Sequence, residues 1–191
     1  MHLPTLIAVA ALSLAGASCS SDDAESADTA AGRAPAAEAP STGDDLADVT
    51  NYRLTMDKVD RYFDAQLAIA RRVKDLSPEE RAPLEQMESS ADASLDEMAR
   101  RLDSHPAMRD GLREANLSSR EFATLTMAML QAGMAASVLQ MRPNDNQDSL
   151  AREMKASMEN IRFLRENEAE LTRRQQALES ELREMGALDE S

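Results

Sequence analysis

The chain has 191 residues, and acidic side chains outnumber basic ones 35 to 21, for a formal net charge of −14. Nucleic acid and anionic membrane surfaces are poor partners for so acidic a molecule. Aromatic residues make up 3% with no Trp, which removes base- and sugar-stacking platforms, and one Cys with two His leaves too few ligands for most zinc or thiol chemistry.

The first element is an apolar run from Leu3 to Ala17, broken by Pro4, Thr5, Ser13 and Gly16. At about 15 residues it falls short of the roughly 20 that a membrane-spanning helix needs. Small residues follow in Ala15-Gly16-Ala17-Ser18-Cys19, and then the chain turns polar and acidic. That order is the pattern of a removable export signal, residues 1–18.

The only cysteine, Cys19, stands where the small residues end. The segment resembles the lipobox of bacterial lipoproteins. The resemblance implies that Cys19 is lipidated, becomes the mature N-terminus and anchors the protein to a membrane of the cell envelope. Ser20 at the second mature position then points to the outer membrane, facing the periplasm. The other reading is cleavage after Ala17, which leaves Cys19 a free thiol. Both readings export the protein.

From Ser20 to Val49 almost nothing is available to bury, and eight acids against the lone Arg33 leave this stretch with half of the chain's net charge. Such a segment cannot offset its ordering entropy. Residues 19–50 are therefore expected to be a lipidated cysteine followed by a disordered acidic tether, and 51–191 a helical domain.

Thr55 can cap a first helix whose apolar positions are Met56, Val59, Phe63, Ala70 and Val73. Ser77-Pro78-Glu79-Glu80 is a restart signal with proline at the first helical position. Pro83 separates a short turn from a second helix with the seam Leu84, Met87, Ala91, Leu95, Met98 and Leu102. Ser104-His105-Pro106 ends it, and a short segment runs to about Ala115. In the third helix Ser118 caps, Glu121 reciprocates and Leu117 staples onto Phe122. Its predicted core face carries Phe122, Leu125, Met129, Ala132, Ala136 and Leu139, before the Pro143-Asn144-Asp145-Asn146 loop.

A final seam runs through Leu150, Met154, Met158, Ile161, Leu164, Glu168, Leu171, Gln175, Leu178, Leu182 and Met185. As one helix its 36 residues would reach about 54 Å, which requires either a break near Asn160 or an overhang beyond its neighbours. The expected architecture is an all-α, antiparallel four-helix bundle with a long C-terminal helix. Leu178, Leu182 and Met185 at the far end are expected to dock on the 106–115 segment, a second copy or a partner protein, with Glu168 and Gln175 fixing the register.

Chemistry-bearing sets are few. His105 lies near Asp103 and Asp110, but a Ser-His-Asp site would need a nucleophile and oxyanion donors, and His105 reads as a boundary residue. Met127, Met134 and Met141 recur every seven residues. Thioethers are soft ligands, so this set is a candidate for Cu(I) or an apolar ligand, against a plain reading as plastic core. Leu171-Thr172-Arg173-Arg174-Gln175 is similar to the Leu-Thr-x-x-Gln motif of Spy-like periplasmic chaperones, with looser variants at Leu76–Glu80 and Leu117–Glu121. That resemblance implies a helical surface that holds unfolded clients. The chain taken whole is expected to be a non-enzymatic, membrane-tethered helical protein that needs no cofactor and works through protein contacts or self-association, with the chaperone reading as the alternative.

Overall fold

The computed structural model describes residues 42–85 and 94–187, and within them every regular element is an α-helix. In chain order these are α1 (Thr42–Asn51), α2 (Met56–Lys74), α3 (Pro78–Glu85), α4 (Leu95–Ser104), α5 (Pro106–Glu114), α6 (Ser119–Met141), α7 (Gln147–Glu153), α8 (Met158–Glu166) and α9 (Glu168–Glu184). The all-α class is as expected. The signal segment, Cys19 and the tether as far as Ser41 lie outside the described residues, as do Met87 and Ala91 of the second seam.

Capping chemistry sets most of the helix starts. Thr55 accepts from the Lys58 amide at 3.4 Å, and Ser118 accepts from the Glu121 amide at 3.1 Å. Ser77 and Glu80 form a reciprocal box: the Ser77 amide donates to the Glu80 carboxylate at 2.9 Å, and the Glu80 amide donates back to Ser77 Oγ at 3.3 Å. The carboxylate at Glu121 does something else, taking the Tyr52 hydroxyl at 3.3 Å and facing Arg61 at 3.6 Å. Leu117 and Phe122 meet in one apolar cluster, as a staple requires.

Two expectations are corrected. Among the described residues the helical region already includes residues 42–50 of the stretch assigned to the tether, which together with Asn51 form α1. Val49 is 4% exposed within the core, the Asp45 carboxylate accepts from the Leu95 amide at 3.0 Å, and Asp45 and Asp48 both pair with Arg120. Acids that read as mutually repelling along the sequence share a cation from far along the chain. The long C-terminal helix is also three helices. The first break is a Schellman end, with Lys155 at φ 56° and the Ala156 amide bonded back to the Ala151 carbonyl at 2.9 Å. The second falls at Asn167, whose side chain donates to the Phe163 carbonyl at 2.8 Å. The break expected near Asn160 falls just before it, between Glu153 and Met158, and Asn160 itself lies in the first turn of α8.

The largest core cluster gathers Val49, Leu54, Tyr62 and Leu95 around Leu125, Ala128, Ala132, Ala135 and Leu139 of α6, with Leu150, Ile161 and Leu164 closing it from α7 and α8. α6 is long and apolar enough to cross a membrane by length and composition, and its run of core alanines and leucines accounts for that. A second cluster joins Ala65 and Ile69 of α2 to Leu112, Ala115 and Leu117. Here α2 and α5 approach until a Cβ on Gly111 would stand 2.7 Å from Ile69 Cγ1 and 2.9 Å from its amide nitrogen. The third cluster sets Leu178 and Leu182 of α9 against Ala70 and Leu67 of α2.

Candidate functional site

From Phe122 to Met141 the sequence holds no charged residue, although 29% of the chain is charged. A helix apolar on every side belongs in a core. α6 departs from that rule along one line. Leu130 is 43% exposed, Met134 51% and Met141 74%, and these are the exposed large hydrophobic side chains among the described residues. With Met127 and Ser137 they follow a 3-4-3-4 spacing, which is one continuous face. Beyond Ser119 the hydroxyls on α6 turn to its own backbone: Thr124 donates to the Arg120 carbonyl at 2.8 Å, Thr126 to the Phe122 carbonyl at 2.8 Å and Ser137 to the Gly133 carbonyl at 3.1 Å. The line therefore presents apolar surface with few unmet polar demands.

Its N-terminal end is closed. Arg120, one heptad before Met127, is held by Asp48 at 2.8 Å, Asp45 at 3.5 Å and Asp96, so α1 and α4 cover that stretch. Ala123, on the same line, is buried. On the other side of the helix Leu125, Ala128, Ala132, Ala135 and Leu139 share the main cluster with Leu150 of α7 and Ile161 and Leu164 of α8. The open stripe, Met127 to Met141, is about 21 Å long at 1.5 Å per residue.

The three methionines singled out by sequence thus share this face, with Met127 half-buried against the core. Consecutive members stand about 10.5 Å apart along the axis, and helical side chains lean together toward the N-terminus, so one ion cannot draw two of them as ligands without opposing that lean. Leu178 and Leu182 are 5% and 0% exposed, and Met185 packs beside them, all against α2 and not against 106–115. Their register is held by Arg174–Asp60 at 2.9 Å and Arg71–Glu181 at 3.1 Å. Glu168 is exposed and Gln175 donates to Glu179 at 3.0 Å, so neither fixes that contact. Leu171–Gln175 falls near the start of α9, with Leu171 packed on the core.

His105 joins α4 to α5. Its Nε2 lies 3.3 Å from the Glu80 carbonyl, and its buried Nδ1 has no partner. Ser119 donates straight to Asp103, and Asp110 pairs with Arg109 and Arg113. A relay would place the imidazole between hydroxyl and carboxylate; here the hydroxyl meets the carboxylate directly. Among the described residues no three His, Cys, Asp or Glu side chains gather to hold a metal ion.

A cleft of about 250 Å³ is lined by Arg53, Leu54, Glu159, Asn160, Arg162, Phe163 and Glu166. Its buried polar group is already committed. Asn160 Oδ1 accepts from the Leu54 amide at 2.9 Å and Nδ2 donates to the Tyr52 carbonyl at 2.7 Å, clamping the α1–α2 link onto α8. Beside it, burial and then the Glu121 charge push the Tyr52 phenol well above its ordinary range, while Lys58 Nζ stands 3.9 Å over the ring. This is a structural joint.

No protein family, curated protein or solved structure matches this chain. Among the described residues the feature that stands out is the open apolar face of α6. Sequence periodicity missed Leu130 because Leu125 and Met129 already filled the core face. The signal that could have found it is the lack of any polar side on α6.

Proposed function

We propose that this protein is an exported, non-enzymatic helical lipoprotein of the bacterial cell envelope, which acts by holding another polypeptide on the open face of α6. The observation that carries the reading is the solvent exposure of Leu130, Met134 and Met141 on a helix with no charged residue beyond Glu121 until Arg142. Contiguous apolar surface of this kind marks interaction sites in soluble domains, and methionine is suited to it because its flexible thioether conforms to a partner. The address rests on the Leu3–Ala17 run and on Cys19, which supply a lipid anchor to the outer membrane with the chain up to Ser41 as spacer.

Two measurements test this. Cells labelled with a radioactive fatty acid should label the wild-type chain and not Cys19→Ser; equal labelling of both removes the anchor. A photo-crosslinking amino acid at position 134, activated in intact cells, should yield a defined protein adduct that a probe at the buried position 125 does not give. Absence of any adduct removes the contact reading. A Spy-like chaperone is the second reading, favoured by the same exposed stripe. It requires that the purified protein suppress aggregation of an unfolded client and that Leu130→Glu abolish the effect.

A further inference from the structure

We propose that Met134 and Met141 are oxidation sites, and that their sulfoxides turn the open face of α6 from apolar to polar while the fold stays intact. The consequence, release of a polypeptide held on that face, rests on the contact reading above. The two modification sites themselves rest on exposure and sulfur chemistry.

The described residues hold ten methionines, and Met134 and Met141 are the two that are exposed, at 51% and 74%. The others are half-buried, and Met98, Met127, Met129, Met154 and Met158 pack against the main core cluster. An oxidant arriving from solvent therefore reaches the sulfurs unequally. No softer side chain competes within the helical region, since the chain's one thiol, Cys19, lies outside it and there is no Trp.

With hydrogen peroxide the thioether sulfur attacks one peroxide oxygen and the O–O bond breaks. The departing hydroxide takes the proton from the oxygen now on sulfur, which leaves one sulfoxide and one water. Sulfur gives up two electrons and the peroxide gains them. The new oxygen is a hydrogen-bond acceptor on a side chain that was apolar. At positions 134 and 141 it stays in water and asks nothing of the fold. At 127 or 129 it would have to enter the core without a donor, which close packing resists.

The pair sits where added polarity counts most. No residue from Phe122 to Met141 is charged, and the exposed large apolar side chains among the described residues are Leu130 and these two methionines. Two sulfoxides leave Leu130 alone. Leucine at 134 and 141 would fill the same face without this chemistry, and methionine adds reversibility, because sulfoxide reductases restore the thioether.

The full-length chain, treated with limiting hydrogen peroxide, can be followed by peptide mass spectrometry and by retention on a phenyl column. Met134 and Met141 should gain oxygen at least about tenfold faster than Met127, Met129, Met154 or Met158, and the gap should close in urea. Retention should fall while circular dichroism and thermal midpoint hold. Sulfoxide reductases with a dithiol, which carries the oxygen away as water and becomes the disulfide, should restore it. Met134→Leu/Met141→Leu should keep its retention throughout. Equal rates at all these sulfurs in the folded protein overturn the sites. Unchanged retention with both sulfoxides formed overturns the change of face, as does an equal loss in the double leucine variant. In cells, a photo-crosslinking residue at position 130 should lose its adduct on peroxide treatment in the wild-type background and keep it in the double leucine background. An adduct that persists in both overturns the release and leaves the contact reading standing. No adduct before oxidation overturns the contact reading and the release together, while the mass and retention results still decide the two sites.

Discussion

Replacing Asn160 tests the joint that fastens α1 and α2 to α8. Asn160 is 2% exposed, and its amide satisfies the Leu54 N–H and the Tyr52 carbonyl across more than a hundred residues of sequence. Asn160→Ala strands the buried Leu54 amide, at about 1–3 kcal/mol, and the part-buried Tyr52 carbonyl, at the lower end of that range, so a loss of roughly 2–4 kcal/mol is expected. The neighbouring Arg53–Glu159 pair, with side chains 76% and 67% exposed, contributes under about 1 kcal/mol and cannot mask that loss. Urea unfolding should show a lower midpoint with an unchanged slope. Asn160→Asp refines the test, since a carboxylate keeps the acceptor for Leu54 but faces the Tyr52 carbonyl without a proton to give. Burial and that carbonyl raise the introduced carboxyl's pKa in the folded state. Its stability is therefore fully present below the unfolded value of about 4 and is lost as pH rises through the folded value. Asn160→Asp should approach wild type near pH 4 and fall toward Asn160→Ala at pH 7. A change below about 0.5 kcal/mol for the Ala variant, or no pH dependence for Asp, would refute the reasoning.

Gly111→Ala should destabilise by about 1–3 kcal/mol, because the new methyl meets the Ile69 backbone amide at 2.9 Å and backbone cannot yield as a side chain does; a neutral thermal midpoint would show that α5 shifts freely on α2. Val49→Ser should cost about 2 kcal/mol if α1 belongs to the core, whereas a change within about 0.5 kcal/mol would return that segment to the tether. Both tyrosines of the chain are raised, Tyr52 by burial and the Glu121 charge and Tyr62 by burial, so absorbance at 295 nm should stay flat through pH 10 in the folded protein and rise there only in guanidinium. The sign follows: a raised phenol contributes stability that is present below about pH 10 and lost as pH rises toward the folded value. A half-complete rise at pH 10 without denaturant would contradict the packing.

What could be read from the sequence was local. Ser77, Thr55 and Ser118 announce their helices because a cap and its amide lie three residues apart, and pattern alone contains that distance. The end of α7 was not legible, since Lys155 takes the left-handed conformation with no glycine or asparagine to signal it, and the benefit comes from burying Ala156 and returning Leu150 and Ile161 to one core. α1 was hidden for a different reason: its acids find their cation in Arg120 and a capping partner in Leu95, contacts that no window of the sequence brings together. The role of Asn160 was not legible either, because its two partners, the Leu54 amide and the Tyr52 carbonyl, lie more than a hundred residues away in the α1–α2 link.

The methionines of α6 show where periodicity stops deciding. A spacing of seven makes Met127, Met134 and Met141 one face, but the same spacing fits a core, a ligand set or a docking seam. The side of α6 carrying Leu125, Ala128, Ala132 and Leu139 was claimed first by α7, α8 and the α1–α2 link, and the methionine side was left open. An apolar face that the fold does not consume stays in water and forgoes the roughly 1.5–3 kcal/mol that burying each leucine or methionine would contribute. The absence of charge from Phe122 to Met141 serves core packing on one side only.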